Sequence, residues 1–478
     1  MSQDSLKNKT AKGMLWSSVE TFSNQGVQFV ISIILARILA PSDYGIVAMT
    51  VIFFAIAQSF VDSGFSNALV RKKDRTEEDM STCFYFNIVV GFVAYAVLYV
   101  ISPWVANFYN QPILSPIIKV SGLNVILSSL CVVQQAKLTF KIDFKSQAKV
   151  TLTSTIISGI LSIILAYMGY GVWALVWQGV VSTVCSTILL WIISGWRPKN
   201  GFSKSSFHYL FGYGSKLLAS GLLNTLYNNV YPVVIGKFYS PVQLGLFSRA
   251  QGWASLPSSN LTRILQRVTF PVLSSIQDEE ERLRTDYRRL LRMSAFVVFP
   301  LMMILAAVAL PLIRVVITSK WDGCAIYLQI ICFAMMWYPI HAINLNLLQV
   351  KGRSDLFLRL EIIKKIMGVC VLCITIPLGI LAMCIGMVVS SIICLFINTY
   401  YTGKLINVGF IKQMKDLFPI FSISIMSGVT AFLTVNCLGA EWLKLISGLL
   451  AGGIAYILFT WFFAKEEFNF TLNILRKR

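Results

Sequence analysis

The sequence predicts an all-α integral membrane protein with about fourteen transmembrane helices. They are expected as two six-helix lobes related by an internal repeat, residues 1–205 and 206–405, with two further helices and a cytoplasmic tail in 406–478. Three observations lead there. Of the 478 residues, 56% are hydrophobic and 13% charged, and the mean hydropathy is +0.70. Soluble domains carry about 25% charge. Apolar runs of about 20 residues, the length that crosses a bilayer as helix, recur along the chain. The third observation is an echo. Leu35 to Gly45 returns as Ile235 to Gly245, so that Arg37 falls on Lys237, Pro41 on Pro241 and Gly45 on Gly245, with Asn24 on Asn224 upstream. In each copy an apolar run ends at a cation, a proline that cannot continue the helix follows, and a glycine permits tight re-entry. Each copy reads as the turn between the first two helices of a lobe, with a site between the lobes.

Taken in order, the first lobe has spans near 14–36, 44–66, 81–102, 112–133, 150–168 and 172–194. The second has them near 209–236, 242–262, 293–313, 323–349, 366–383 and 385–402, and the final pair lies near 416–437 and 445–464. Span 242–262 is the least apolar, interrupted by Ser, Asn, Gln, Arg249 and Pro257. Such a helix is tolerated where it faces protein or a water-filled cavity. Residues Met1 to Lys12 are polar and lack a small-residue cleavage pattern, so no removable signal peptide is expected.

An even number of spans puts both termini on one side, and the charges say which. Of the 41 Lys and Arg, 33 fall in segments on the side of the termini, 5 on the other side and 3 within spans. The positive-inside rule then makes the termini cytoplasmic. It also accounts for most of the net charge of +20, with no need for nucleic acid.

The connections limit function. Outer ones are short, and the longest inner one, Arg263 to Arg292, holds the charge-mixed run from Asp278 to Arg289, read as a solvated linker helix. No Gly-x4-Gly-Lys-Ser/Thr occurs, so the chain is not expected to be its own ATPase. No outer loop has room for an active site, so no enzyme is expected. The ten cysteines are scattered; Cys370-Val-Leu-Cys373 sits in an apolar run and reads as small hydrophobes. His208 and His341 lie far apart. No metal centre or cofactor is expected.

Ionisable groups in the apolar slab are expensive, so each is a candidate for function. Glu20, Asp62, Lys216 and Arg249 fall on the first two spans of each repeat; Lys119 on the fourth span is the outlier. At about 1.5 Å per residue, Glu20 and Lys216 lie about 10 Å from the inner end of their spans and Arg249 about 10 Å from the outer end of its own. Asp62 lies close to the inner surface. Arg249 and Lys216 suit an anionic cargo, since Arg forks a phosphate and Lys offers a point charge. Asn224, with Trp16, Asn24, Tyr227, Asn228, Asn229 and Trp253 on the same spans, suits a sugar. Glu20 and Lys216 are placed to pair when the inner side closes. Competing structural roles are plain: Lys216 and Lys119 can snorkel, Asp62 can end its helix beside Ser63-Gly64, and the aromatics can form a belt.

Ala36 to Gly45 and Val61 to Leu69 resemble the polysaccharide transporter family of lipid-linked oligosaccharide flippases, as do Gly236 to Ala250 and Phe270-Pro-Val-Leu-Ser274 with the charged helix after it. Lys320-Trp321 and Lys351-Gly-Arg-Ser-Asp355 fit the same pattern. Within the multidrug/oligosaccharidyl-lipid/polysaccharide exporter superfamily, the chain is most similar to colanic-acid-type exporters. The resemblance implies a flippase that moves an undecaprenyl-diphosphate-linked oligosaccharide, an O-antigen or exopolysaccharide repeat unit, across the bacterial inner membrane by alternating access. The partners it implies are that lipid-linked oligosaccharide, membrane lipids, and a polysaccharide polymerase with its chain-length machinery. It also implies a cavity lined by spans one, two, seven and eight, which points to Arg249, Lys216, Glu20, Asp62 and Asn224 as substrate-binding residues. The alternative on the same fold is an ion-coupled exporter of cationic drugs, which would favour acidic groups in that cavity.

Overall fold

The computed structural model describes residues 3–62, 65–72 and 74–463, with the side chains of 3–15, 17–19, Lys216 and Val268 outside the description. Among the described residues the chain is α-helical with two short 3-10 turns and no strand. It forms two compact units, one ending at Gly245 and one starting at Leu246. The first contains α1 (Gln3–Ile38), α2 (Pro41–Asp62), α3 (Phe65–Arg71), α4 (Glu77–Tyr109), α5 (Leu114–Ser129), α6 (Val132–Phe140), α7 (Phe144–Tyr167), α8 (Val172–Ser194), α9 (Lys204–Asn228) and α10 (Val230–Phe238). The division falls inside α11 (Pro241–Ser275). The second unit continues through α12 (Glu280–Ala307), α13 (Ala309–Ile317), α14 (Gly323–Met335), α15 (Tyr338–Val350), α16 (Ser354–Thr375), α17 (Ile380–Ile406), α18 (Phe410–Asn436) and α19 (Glu441–Phe463).

Among the described residues nine helices are long and apolar enough to cross a membrane, ten if α5 and α6, bent by 44°, count as one. Helices α1, α9, α11 and α16 are long but lack an 18-residue stretch as apolar and as free of charge as those nine contain. Large apolar side chains stand exposed along the helices, as at Val89, Ile192, Phe432 and Ile457. That is the surface a hydrocarbon solvent requires, since lipid gives apolar groups no reason to hide.

Two boundaries differ from those read off the sequence. The turn expected near 384 lies at 376–379, where Pro377 ends α16 and Gly379 takes φ +98°. The apolar run carries on through this turn, so hydropathy alone passes over it. The charge-mixed run after Asp278 is not a separate linker helix, because α12 starts at Glu280 and continues without a break into the apolar segment.

The two turn copies adopt one local structure. α1 ends at Ile38 and α2 starts at Pro41; α10 ends at Phe238 and α11 starts at Pro241. Proline suits the first position of a helix, where its missing N–H has no partner to lose. The residue two past each proline then caps the helix: Ala40 N–H donates to Asp43 Oδ2 at 2.9 Å, and Ser240 N–H to Gln243 Oε1 at 3.3 Å. The second copy is a full capping box, since Gln243 N–H also donates to Ser240 Oγ at 3.3 Å. The copies also touch. A Cβ added to Gly45 would lie 1.8 Å from the Pro241 carbonyl oxygen, and one added to Gly245 would lie 1.9 Å from that of Pro41. Only glycine allows this approach at both positions.

Elsewhere in the first unit, α1 lies along α7, with Ile31, Leu35 and Leu39 closing on Ala166 and Ala174. Small residues matter in such seams because close fit, not escape from water, holds helices together in lipid. α2 packs on α4, α5 and α9, which leaves its remaining face toward α8. In the second unit α18 docks on α12 through a buried polar network. Gln413 donates to Asn344 Oδ1 at 3.1 Å and to the Tyr287 hydroxyl at 3.3 Å, and Thr402 donates to Asn344 Oδ1 at 3.2 Å. Arg288 clamps Asp416 with two bonds of 2.7 and 2.6 Å. Arg314 joins Asp322 at 2.8 Å and Glu441 at 3.0 Å, tying the start of α19 to the end of α13.

Candidate functional site

A row of polar residues in the first unit lines a crevice between α2, α5, α6 and α8. Its smaller part, of about 200 Å³, is lined by Gln58, Asp62, Ser128, Gln135 and Thr183, with further hydroxyl-bearing residues beside them. Its larger part, of about 410 Å³, shares Gln58 and adds Asn124 and Ser121 on a mostly apolar wall that includes Val51 and Phe54. Helical spacing explains the gathering. Gln58 and Asp62 stand four apart on α2, and Thr183 and Thr187 four apart on α8, so each pair shares a face. A hydrogen-bonded chain runs along the floor. Gln58 Nε2 donates to Asp62 Oδ1 at 3.1 Å, and Ser128 Oγ donates to Gln58 Oε1 at 3.0 Å. Asn124 Oδ1 is buried and has no hydrogen-bond partner among the described residues.

The remaining candidates fall in several places. Thr151 on α7 donates to the Glu20 carboxylate at 3.3 Å, and Thr155, one turn on, donates to Asn24 Oδ1 at 2.8 Å. Both acceptors therefore belong to the seam between α1 and α7. Asn224 is exposed on α9, and its neighbour Thr225 meets Ser59 of α2, hydroxyl to hydroxyl, at 3.3 Å. Lys216 lies on α9 with its side chain outside the described residues, so its pairing with Glu20 is not visible. Lys119 sits 4.7 Å from the centre of the Tyr99 ring. Arg249 belongs to the second unit, where its guanidinium carbon lies 5.3 Å from the centre of the buried Trp321 ring. An ordinary cation–π contact of this kind contributes about 0.5–2 kcal/mol, so Arg249 also has a packing role.

Asp62 and Gln58 thus come together with residues that sequence reading passed over: Ser128 and Asn124 on α5 and Thr183 on α8. A signal existed, because Ser182-Thr183 and Ser186-Thr187 interrupt an apolar run at helical spacing. It was too common a pattern in membrane helices to single out, where such hydroxyls often bond their own backbone, as Thr183 does to the Gly179 carbonyl at 3.0 Å. A second missed cluster lies in the second unit, where His341 contacts Ser391 Oγ at 3.0 Å and Asn398 Nδ2 at 3.2 Å.

Comparison with known proteins bears on what such an arrangement serves. Residues 34–326, which contain both turn copies and the crevice, match the family model described as "Polysaccharide biosynthesis protein". The lipopolysaccharide biosynthesis protein WzxC of Escherichia coli is 23% identical over 401 residues, covering 83% of this chain and 80% of that protein. The teichuronic acid biosynthesis protein TuaB of Bacillus subtilis is 25% identical over 354 residues, covering 74% of this chain and 73% of that one. In fold, the chain is similar to the lipid II flippase MurJ in its inward closed conformation, with a TM-score of 0.77 at 15% identity over 95% of this chain and 99% of that one. These proteins are named for biosynthesis and flipping, and the MurJ-like fold with its many apolar helices makes this a multi-pass membrane protein. With the model matched over more than half its length, the chain belongs to the polysaccharide biosynthesis protein family.

Proposed function

We propose that this protein is a flippase that moves an undecaprenyl-diphosphate-linked oligosaccharide, an O-antigen or exopolysaccharide repeat unit, from the inner to the outer leaflet of the bacterial inner membrane by alternating access. Residues 1–205 and 206–405 are the two repeat lobes and 406–478 the added helices and tail. The count is about fourteen spans, in which α1, α9, α11 and α16 cross despite their polarity. Both termini are cytoplasmic in this reading, which the 33-to-5 division of Lys and Arg supports. Arg249 and Lys216 receive the diphosphate, while Glu20, Asp62 and Asn224 contact the glycan or balance charge. A polysaccharide polymerase and its chain-length machinery take the glycan on the far side.

The observation that carries this reading is the family match across both turns, together with likeness to WzxC over 80% of its length. The ion-coupled drug exporter has less support, because the matched family and these relatives are named for polysaccharide biosynthesis. The test is deletion of the gene in its host. Lipid-linked glycan should accumulate in the inner leaflet and surface polysaccharide should fall. Arg249→Ala should reproduce the defect at normal protein level, and Arg249→Lys should relieve it in part. Unchanged surface polysaccharide with altered drug susceptibility would refute the reading.

A further inference from the structure

The smaller part of the crevice in the first unit has an uneven charge balance. Asp62 supplies one negative charge, and no Lys or Arg is among the lining residues. An anionic headgroup is therefore repelled, and the diphosphate has no seat here. A dehydrated cation needs oxygens converging within about 2.5 Å, a far smaller space than about 200 Å³. An apolar ligand would strand the lining carboxamides and hydroxyls without partners, which is costly for each one. An organic cation would pair with Asp62 and leave the carboxamides and hydroxyls around it unmatched. A neutral, polyhydroxylated ligand of about one sugar ring matches all of these groups together.

The individual groups fit that ligand. The Asp62 carboxylate accepts from hydroxyls, and Gln58 and Gln135 each offer both a donor and an acceptor. Thr183 spends its proton on the Gly179 carbonyl, so its oxygen still accepts. Just beyond, the Asn124 oxygen is buried, without a hydrogen-bond partner among the described residues, and Asn124 lines the adjoining larger part. The chain Asp62–Gln58–Ser128 holds the floor in one orientation before any ligand arrives. Pre-ordering of this kind reduces the entropy lost on binding.

We infer that this crevice is a saccharide subsite, holding one pyranose ring of the cargo glycan through Asp62, Gln58 and Thr183. The inference rests on the flippase reading for the source of the sugar, but its test does not require transport. The full-length protein, purified in detergent, is mixed with the free oligosaccharide released by mild acid from the host's lipid carrier. Saturation-transfer NMR then reads sugar binding. Wild type should give saturation transfer, and Gln58→Leu and Thr183→Val should each weaken binding about 3- to 10-fold, the loss expected for one neutral hydrogen bond. Asp62→Asn, close in shape but uncharged, should weaken it about 10-fold or more. The variants' melting temperatures, measured in parallel, show whether they are folded. Absence of transfer in wild type, or equal transfer in wild type and in folded Gln58→Leu and Thr183→Val, overturns the subsite. Glycan export measured separately in cells would in that case still stand or fall by itself.

Discussion

The two units treat the same chemistry in opposite ways. In the first, amides and hydroxyls within membrane helices line an open crevice, with Asp62 exposed and Gln58 and Ser128 partly accessible. In the second, Gln413, Asn344, Thr402 and Tyr287 are buried and turned on one another. A closed network of this kind has a structural use, since every group in it specifies where α18 must sit on α12 and α15. An open row of the same groups has spare bonding capacity. Polarity inside a membrane helix therefore says little until its partners are known.

That contrast breaks first on paired substitutions. Gln413→Leu removes the hub of the buried network and leaves Asn344 and Thr402 short of partners, at a cost of about 2–4 kcal/mol for two buried groups. Protein level and melting temperature in detergent should both fall sharply. Gln58→Leu, a like change in the open crevice, should cost less than about 1 kcal/mol, because solvent can reach the groups it leaves behind. Equal destabilisation by the two would erase the distinction between structural and open polar rows.

The ion pairs give an intermediate effect. Arg288 forks Asp416, whose side chain is 8% exposed while that of the arginine is 42% exposed. Solvent screens the guanidinium, so the pair itself contributes modestly. Its removal is costlier than its formation is favourable, because Arg288→Ala leaves a nearly buried carboxylate alone; about 1–3 kcal/mol is expected. Arg288→Ala with Asp416→Asn should recover part of that loss. A double variant as unstable as Arg288→Ala alone would show that the arginine acts through packing and not through charge.

How far these features could be read in advance depends on the distance along the chain. Fold class followed from composition, and the turns at 39–40 and 239–240 from proline and glycine, because both are local. Asp62 was singled out by its charge, but its setting was not, because Gln58 meets Ser128 across 70 residues of chain. The depth of Arg249 is legible in the sequence, but its place over Trp321, in the 3-10 turn before α14, is equally non-local. The turn at Gly379 was misplaced because apolar residues fill it, even though Pro377 and Gly379 mark it clearly in retrospect. Local rules fix where helices stop; they do not choose which helix comes alongside.

The smallest contrast is between the two turns themselves. Ser240 caps α11 by accepting from the Gln243 N–H, whereas Ala40 at the matching place has no side-chain oxygen and relies on Asp43 reaching back to its own N–H. Ser240→Ala should thus cost about 0.5–2 kcal/mol, the usual loss of an N-cap. Ala40→Ser should stabilise the protein by up to about 1 kcal/mol, since the serine hydroxyl can accept from the N–H of residue 43 and complete the box. Both changes are read as shifts in melting temperature in detergent, with the Gly45–Pro241 approach left untouched. If Ala40→Ser is neutral while Ser240→Ala is costly, the first turn already has its donors satisfied, with Asp43 sufficient as a cap. If both shift as expected, the two caps respond alike, and the hydroxyl missing at position 40 is what leaves the first turn one capping bond short.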